Sequence, residues 1–367
     1  MKMRDRVLSV LKREKPDRVP WFGDLDYWAS GLIGRGQKPA DFKTSQAYID
    51  WHRDLGVGFY LQGYFPFKTI IENCGIKDWN EDNKRYRQIE TPKGTLRECW
   101  TWIAESFTEG PTEHFIKSIE DLQAYEYVHA NTRYEPDYGY AYQRMEQIDD
   151  MGLLLVYLPK SPLMQMVALD AGIMTVIDLF MQDREALAQT FRVVRESHDR
   201  AANISLQSPA EILMIPENLS AEVVGPFLFE DYMRPYQQEW ALKIKDAGKF
   251  STIHMDGTLK GLLREETSIG LTFIEAMTPA PVGDLAVKDW ADFTEDKSTI
   301  FWGGIPGGYF TPMISDEEFD EFIIEVLSTM TSEPRYVLGV ADQVPPDGLE
   351  SRVRRVCELV EKHGAYR

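Results

Sequence analysis

The stretch "FSTIHMDG", residues 250–257, indicates the fold because it joins an apolar strand-like run to a polar turn. Residues at positions i and i+2 of a strand point to the same side, so His254 and Asp256 are expected to face one point in space. Such a pair can bind a metal or exchange protons. It can equally be an ordinary buried histidine that a nearby aspartate holds in a turn. The choice depends on what stands at the ends of the other strands.

Short apolar runs of this kind recur along the chain and alternate with stretches of helical periodicity, such as 183–204 and 316–330. Strands that alternate with helices predict parallel β-α units. Eight strands in a chain of this length favour an α/β fold of the TIM type, a (β/α)8 barrel, over an open sheet. We therefore expect one (β/α)8 barrel domain over residues 1–367. The eight runs are "VPWFGD" (19–24), "GVGFYLQG" (56–63), "LLLVYLP" (153–159), "EILMIPEN" (211–218), "FSTIHMDG" (250–257), "TFIEAM" (272–277), "TIFWGGI" (299–305) and "RYVLGVAD" (335–342).

Residues 64–151 interrupt the alternation. Within them, "QIETPKGTLRECWTW" (88–102) is typical of a hairpin with its turn at Pro92-Lys93-Gly94. We predict that 64–151 is an insertion after the second strand and that it folds over one end of the barrel.

The composition limits the class of protein. Hydrophobic residues make up 43% of the chain and charged residues 27%, which is typical of a soluble globular protein. No apolar stretch approaches the roughly 20 residues that span a bilayer, and the charged N-terminus lacks a signal-peptide core, so we expect a cytoplasmic protein. A formal net charge of −19 disfavours binding to nucleic acid or to anionic membranes. Cys74, Cys99 and Cys357 lie far apart and predict neither a disulfide framework nor a sulfur-rich zinc site.

Polar residues follow most of the predicted strands. In a barrel of this type the chemistry takes place where strands end and the next loops begin, so a histidine among several acids there favours a functional cluster. The residues in question are Asp24 after the first strand, Glu217 and Asn218 after the fourth, His254 and Asp256 at the fifth, Glu275 at the sixth, Gly303-Gly304 at the seventh, and Asp342-Gln343 at the eighth.

Nearly end to end, the chain resembles the uroporphyrinogen decarboxylase superfamily. The resemblance implies a somewhat distorted (β/α)8 barrel, and its motifs are more specific for the superfamily than for any one activity. The motifs are the N-terminal segment from Arg4 to Pro20, "ETPKGTLRE" (90–98), the histidine strand ending in "HMDG" (254–257), "TPAPVGDL" (278–285), "FWGGI" (301–305) and "VLGVADQVPPDG" (337–348).

True decarboxylases of this superfamily share an arginine-rich loop after the first strand, which grips the carboxylates of the substrate. Here that loop is "WFGDLDYW" (21–28), which has no arginine and contains Asp24 and Asp26. Two acids would repel an octa-anionic substrate. The resemblance therefore disfavours the decarboxylase of heme synthesis.

A second branch, the corrinoid-linked methyltransferases, shares a zinc motif of His-x-Cys with a distant cysteine. Its histidine matches His254, and its cysteines fall on Asp256 and Asp342. The resemblance implies a site for zinc or another divalent metal at these three residues, with Glu217 as a fourth or shared ligand and His254, Glu217 and Asp256 as catalytic groups. Carboxylates in place of thiolates put the thiol-activating chemistry of that branch in doubt. They leave the metal a stronger Lewis acid toward oxygen, which predicts a methyl donor that leaves through oxygen.

The segments 21–28 and 59–67 are rich in aromatic residues and are predicted to lie at the mouth of the barrel. They could hold a methoxylated ring or the face of a corrin, although single aromatics there could equally belong to the core. The predicted substrate-binding residues are Trp21, Asp24, Tyr27, Trp28, Tyr60, Asn218, Glu275 and Gln343.

None of the six histidines stands in the Asp-x-His-x-x-Gly motif that binds cobalamin, so a separate corrinoid protein would carry that cofactor. The favoured function is a cytoplasmic methyltransferase that moves a methyl group from a small O-methyl substrate to the cobalamin of this partner. Two alternatives stay open: a decarboxylase or lyase that acts on a small carboxylic acid without corrinoid, with His254 as the acid, and a barrel that binds a ligand without catalysis. The sequence does not distinguish a monomer from a homodimer.

Overall fold

The computed structural model describes residues 1–60 and 63–367, and its strands fall into parallel and antiparallel groups. The strands are β1 (Phe59–Tyr60), β2 (Phe67–Ile71), β3 (Gly75–Glu81), β4 (Lys84–Thr91), β5 (Gly94–Ile103), β6 (Thr108–Glu113), β7 (Thr132–Pro136), β8 (Gly152–Leu153), β9 (Leu155–Tyr157), β10 (Ile212–Ile215), β11 (Phe250–His254), β12 (Phe273–Met277), β13 (Ile300–Pro306) and β14 (Tyr336–Ala341).

The helices cover the parallel strands, and the two longest begin at residues suited to a helix start. Asp183 accepts hydrogen bonds from two backbone N–H groups at the start of the longest helix, and Ser315 and Glu318 form a capping box. The α-helices are α1 (Met3–Leu11), α2 (Asp26–Gly34), α3 (Gln46–Leu55), α4 (Leu122–Ala130), α5 (Gly139–Ile148), α6 (Pro162–Gln165), α7 (Ile173–Gln182), α8 (Arg184–Gln207), α9 (Pro226–Leu228), α10 (Arg234–Asp246), α11 (Leu263–Thr267), α12 (Asp316–Met330) and α13 (Glu350–His363). Short 3-10 helices lie at Phe42–Thr44, Ile119–Asp121, Asp149–Met151, Val287–Phe293 and Gly307–Phe310, and π-helical turns at Met166–Asp170 and Phe229–Met233.

The centre of the protein is a parallel sheet, which makes this an α/β fold. Six strands pair in the order β14-β13-β12-β11-β10-β9, and β1 pairs in parallel with β8. Strands such as β10 (sequence ILMI) are buried along their whole length, as expected when both faces of a parallel sheet are covered. All eight predicted runs contribute to this parallel set, although the first does so only through a single bridge from Trp21 to Leu338.

The segment around Trp21 also connects the two ends of the parallel set. Phe22 N–H donates to the carbonyl of Leu338 in β14, and Gly58 N–H, just before β1, donates to the carbonyl of Trp21, both at 2.9 Å. Side chains from these segments meet in one apolar cluster with helix α1. The cluster includes Phe22, Tyr60, Leu153, Leu155, Ile212, Met214, Phe273, Ile300, Trp302 and Val337.

Residues 64–151 contain the antiparallel strands. β3 to β6 form a four-stranded sheet, and β2 pairs with β7. β4 and β5 pair up to Thr91 and Gly94, so the connection between them is Pro92-Lys93. In the described part of the chain, none of the helices is both long enough and apolar enough to cross a membrane.

Candidate metal centre

His254 is the centre of the candidate site, and its ring is held from behind by Glu275. It ends β11 directly beside Glu275 of β12, with which it is in register. The Nδ1 atom of His254 lies 2.6 Å from Oε2 of Glu275, a distance typical of a charge-assisted hydrogen bond, and Glu275 is only 1% exposed. Tyr60 donates its hydroxyl to the other oxygen of Glu275 at 3.0 Å. The imidazole is thereby oriented with Nε2 directed away from Glu275.

Nε2 of His254 faces two aspartates from different loops. It lies 3.4 Å from Oδ1 of Asp342, which follows β14, and 3.8 Å from Oδ1 of Asp256. Burial alone would lower the pKa of His254, but Glu275, Asp342 and Asp256 outweigh burial and raise it to about 10. Burial raises the pKa of Asp342 to about 6, against the opposing effect of His254.

These three side chains have the arrangement that a metal ion needs. One ligand atom from each of His254, Asp256 and Asp342 can be chosen so that all lie within 4.8 Å of one another. One imidazole nitrogen and two carboxylate oxygens form a donor set that suits zinc and other divalent ions. A carboxylate that accepts from the other ring nitrogen, as Glu275 does, is the usual support of a metal-binding histidine. The residues present therefore fit a divalent metal.

Glu217 lies apart from this set, although we predicted it as a ligand or catalytic group. It is fully buried behind the end of β10, and its carboxylate accepts hydrogen bonds from the Ser161 N–H at 3.1 and 3.2 Å and from Gln237 Nε2 at 3.3 Å. Burial raises its pKa. Because its oxygens accept from Ser161 and Gln237, Glu217 is not among the three clustered ligand side chains, and its catalytic role stays a prediction.

A cavity of about 260 Å³ adjoins His254 and Asp342. Three of the predicted substrate-binding residues line it: Asp24, Asn218 and Gln343, the last of which donates to Asp24 at 3.0 Å. Burial raises the pKa of Asp24 well above its usual range, and the neighbouring Asp26, Asp342 and Glu275 carboxylates add to the effect. The remaining lining residues are Phe65, Tyr157, Lys160, Gln165, Leu169 and Pro216.

Lys160 is the one lysine or arginine among the described lining residues of this cavity, and the sequence analysis did not predict it. It follows the run "LLLVYLP" and β9. It is therefore a polar residue just after a strand, like the residues that the sequence analysis proposed for the site. Its ammonium group donates to the carbonyl of Pro216 and to Oδ1 of Asn218. A lysine was overlooked because it is neither a metal ligand nor part of the motifs that the family shares.

Two of the aromatic residues predicted to contact substrate, Trp21 and Trp28, lie in the core instead. Trp21 is 1% exposed and stacks on Phe310, and Trp28 packs against Trp51, so both belong to the core. Tyr27 donates its hydroxyl to the carbonyl of Ser106. A bulky aromatic ring gains more by burial in a packed core than by standing at a wet cavity wall.

A second cavity of about 330 Å³ also has Asp24 in its wall. The predicted residue Tyr60 lines it, as do Phe59 and Tyr64 from the aromatic segment 59–67. Leu61 and Gln62 of that segment lie outside the described residues. The aromatic residues of the segment 59–67 are thus divided between the two cavities, because Phe65 lines the cavity beside His254 and Asp342.

The comparisons with known proteins agree with this architecture. No curated protein matches the chain. A methyltransferase from Methanosarcina mazei superposes with a TM-score of 0.63 over 99% of this chain and 99% of its own, at 13% sequence identity, which shows a shared fold. The sequence profile of the uroporphyrinogen decarboxylase (URO-D) family matches residues 113–363. That match covers more than half of the chain, including β9 to β14 and all three candidate metal ligands. The chain therefore belongs to the uroporphyrinogen decarboxylase family.

Proposed function

We propose that the protein is a metal-assisted methyltransferase that removes a methyl group from a small O-methyl compound and passes it to the cobalamin of a separate corrinoid protein. The observation that carries this proposal is the cluster of His254, Asp256 and Asp342 beside a cavity, with Glu275 behind the histidine. The fold shared with a methyltransferase at low identity agrees with this choice of branch within the family.

The proposal includes a closed (β/α)8 barrel. Its support is the pair of backbone hydrogen bonds by which the Trp21 segment joins β14 to the segment before β1, and the apolar cluster inside the strands. In such a barrel, active sites lie at the carboxyl ends of the strands, where His254 and Asp342 stand. Residues 64–151 would then be an insertion over one end.

The residues that would hold the metal are His254, Asp256 and Asp342. When bound there, a divalent ion would supply Lewis acidity toward an ether oxygen. Glu275 accepts a hydrogen bond from Nδ1 of His254, so Nε2 is the ring nitrogen that would bind the metal. Asp256 and Asp342 supply hard oxygen donors where related methyltransferases have thiolates.

The nature of the donor set suggests that the methyl group leaves from oxygen. Thiolates donate charge to a metal and keep a bound sulfur nucleophilic, whereas carboxylates leave it more electrophilic. Demethylation of an ether needs an electrophile at the leaving oxygen, because the alkoxide or phenoxide formed is otherwise a poor leaving group. The cavity of about 260 Å³, with Phe65, Tyr157 and Leu169 in its wall, suits a small and partly apolar donor.

The partner would be a cytoplasmic corrinoid protein that docks only transiently, because its cobalamin must also reach a second methyltransferase. A modest interface fits such an encounter. The acidic balance of the chain, with 59 acidic and 40 basic residues, disfavours nucleic acid and anionic membranes as partners.

The test is to mix the zinc-loaded protein, a reduced corrinoid protein from the same organism and a panel of methoxylated compounds, and to follow the cobalamin spectrum. The proposal is supported if the corrinoid becomes methylated only when both this protein and one of the donors are present. Release of carbon dioxide from a small carboxylic acid without any corrinoid would instead favour a decarboxylase with His254 as its acid.

A further inference from the structure

We propose that Lys160 binds an anionic group of the methyl donor, in the first place a carboxylate, and so directs the ether end of the donor toward His254, Asp256 and Asp342. This inference rests on the proposed function and narrows its substrate class to methyl ethers that also carry a negative charge. Lys160 lies in the wall of the same cavity as His254 and Asp342.

The hydrogen bonds of Lys160 leave room for a ligand. An ammonium group has three N–H donors. In the part of the chain that the structure describes, two of them are used, on the carbonyl of Pro216 and on Oδ1 of Asn218 at 3.3 Å. Both acceptors are neutral, so the positive charge of Lys160 has no direct counter-ion there. Glu217 is near enough to act on Lys160 electrostatically, but its oxygens accept from Ser161 and Gln237 instead.

A half-buried cation without a paired anion is unfavourable, and a bound carboxylate would relieve that cost. Burial lowers the pKa of Lys160, in line with this cost, while Glu217 and Asp256 oppose the effect of burial. The other ionisable groups in the described cavity wall are Asp24, Tyr157, His254 and Asp342, so the acidic groups adjoin the candidate metal centre and Lys160 is the basic group at the other end. An anionic group would therefore favour the Lys160 end.

The distance between the two ends suits a small ring. Lys160 follows β9 and His254 ends β11, and β10 lies between these strands in the sheet. The two strands are therefore two spacings apart, roughly 10 Å, and the Lys160 side chain extends from β9 to the segment after β10, where it donates to Pro216 and Asn218. Apolar parts of Phe65, Leu169 and Pro216 line the same cavity. A benzene ring that carries a methoxy group and a carboxylate is small enough to lie between the two ends of this cavity.

The experiment compares two probes of the same shape, meta-methoxybenzoate and meta-methoxybenzyl alcohol, by calorimetric titration of the zinc-loaded protein. A charge-assisted hydrogen bond in a partly buried site predicts that the carboxylate binds about ten- to a hundredfold more tightly than the alcohol. Equal affinities for the two probes in the unmodified protein would overturn the inference without any substitution being needed.

Lys160→Met removes the charge and keeps most of the side-chain volume, so it should abolish the preference for the carboxylate while the affinity for the alcohol stays the same. Lys160→Arg should keep part of the preference. The matched control is Lys93→Met in the exposed turn between β4 and β5, which changes the net charge equally and should leave both affinities unchanged. A preference that persists in a folded Lys160→Met protein would show that the carboxylate binds elsewhere, for example at the metal.

This result is independent of methyl transfer. If the corrinoid assay fails with every donor but the carboxylate preference depends on Lys160, the proposed function is wrong and the anion site stands. If corrinoid methylation succeeds with neutral and anionic donors alike, and Lys160→Met slows both equally, the function stands and the anion site is wrong.

Discussion

Replacing Glu275 by glutamine tests whether His254 is a metal ligand that a carboxylate supports. Glu275 is almost fully buried, and its carboxylate accepts from both His254 and Tyr60, at 2.6 and 3.0 Å. Glutamine has only one acceptor oxygen and no charge, so the bond to His254 becomes weaker even if its geometry is kept. Loss of such a support typically costs ten- to a hundredfold in metal affinity, or about 1.4–2.8 kcal/mol. The short distance and deep burial place Glu275 toward the upper end of this range.

Glu275 also raises the pKa of His254 and so stabilises a proton on the imidazole that competes with the metal. Through this effect alone, Glu275→Gln would strengthen metal binding. A divalent ion carries twice the charge of a proton, however, so removing the negative charge of Glu275 weakens metal binding more than proton binding. We therefore expect a net loss at neutral pH.

The assay is competition for zinc against a chromophoric chelator, with the fold followed by circular dichroism. Glu325→Gln, which makes the same chemical change at a side chain that is 69% exposed, serves as the control and should leave zinc affinity unaltered. An unchanged zinc affinity in folded Glu275→Gln protein would refute the reasoning, because the 2.6 Å contact would then be a structural ion pair and not the support of a ligand.

Three further outcomes follow from the structure. His254→Ala and Asp342→Ala should each remove most bound metal and all activity while the protein stays folded, as measured by elemental analysis and circular dichroism; unfolding would make these residues structural. The double variant Asp256→Cys with Asp342→Cys should keep or tighten zinc binding but slow the release of an oxygen leaving group, and unchanged turnover would contradict a role of the carboxylates in oxygen chemistry. Burial raises the pKa of Asp170 from 3.8 to about 6, against its hydrogen bond from Tyr125, so its stabilising contribution is complete below pH 3.8 and is lost as the pH rises through about 6. In urea titrations the free energy of unfolding of the wild type should therefore fall by about 2.4 kcal/mol relative to Asp170→Asn between about pH 4 and about pH 7, and a pH-independent difference would refute this.

Much of the parallel sheet could be predicted because its strands are marked locally. In an apolar run that ends in a polar residue, as in Phe250 to Asp256, the local sequence alone indicates which residues are buried and where the strand ends. The approach of His254 to Asp256 followed from their spacing, and Asp342 joined them because parallel strands end at the same edge of a sheet. The first run differs from the other seven because it pairs with β14 through a single bridge at Trp21 and not as a regular strand.

What could not be predicted depends on contacts between distant parts of the chain. Glu275 was expected at the end of its strand but lies in the middle of β12, and the register of β12 against β11 places it behind His254; no local pattern encodes that register. The burial of Trp21 and Trp28 likewise depends on Phe310 and Trp51, which come from other elements. An aromatic residue at a strand end has the same sequence signature whether it faces a ligand or the core.

The charges around the cavity also bear on the choice between a metal-assisted enzyme and a metal-free acid–base enzyme. Asp256, Glu275 and Asp342 lie around His254, and Asp24 lines the cavity beside it. Repulsion among these acids contributes to raising the pKa of Asp24 and of Asp342. A general acid needs a single carboxylate to orient its imidazole, and additional acids only make its proton harder to release. A divalent cation, in contrast, needs several anionic donors and would lower the pKa of each of them. Addition of zinc to the purified protein should therefore release protons at pH 6, and the absence of such release would favour the acid–base alternative.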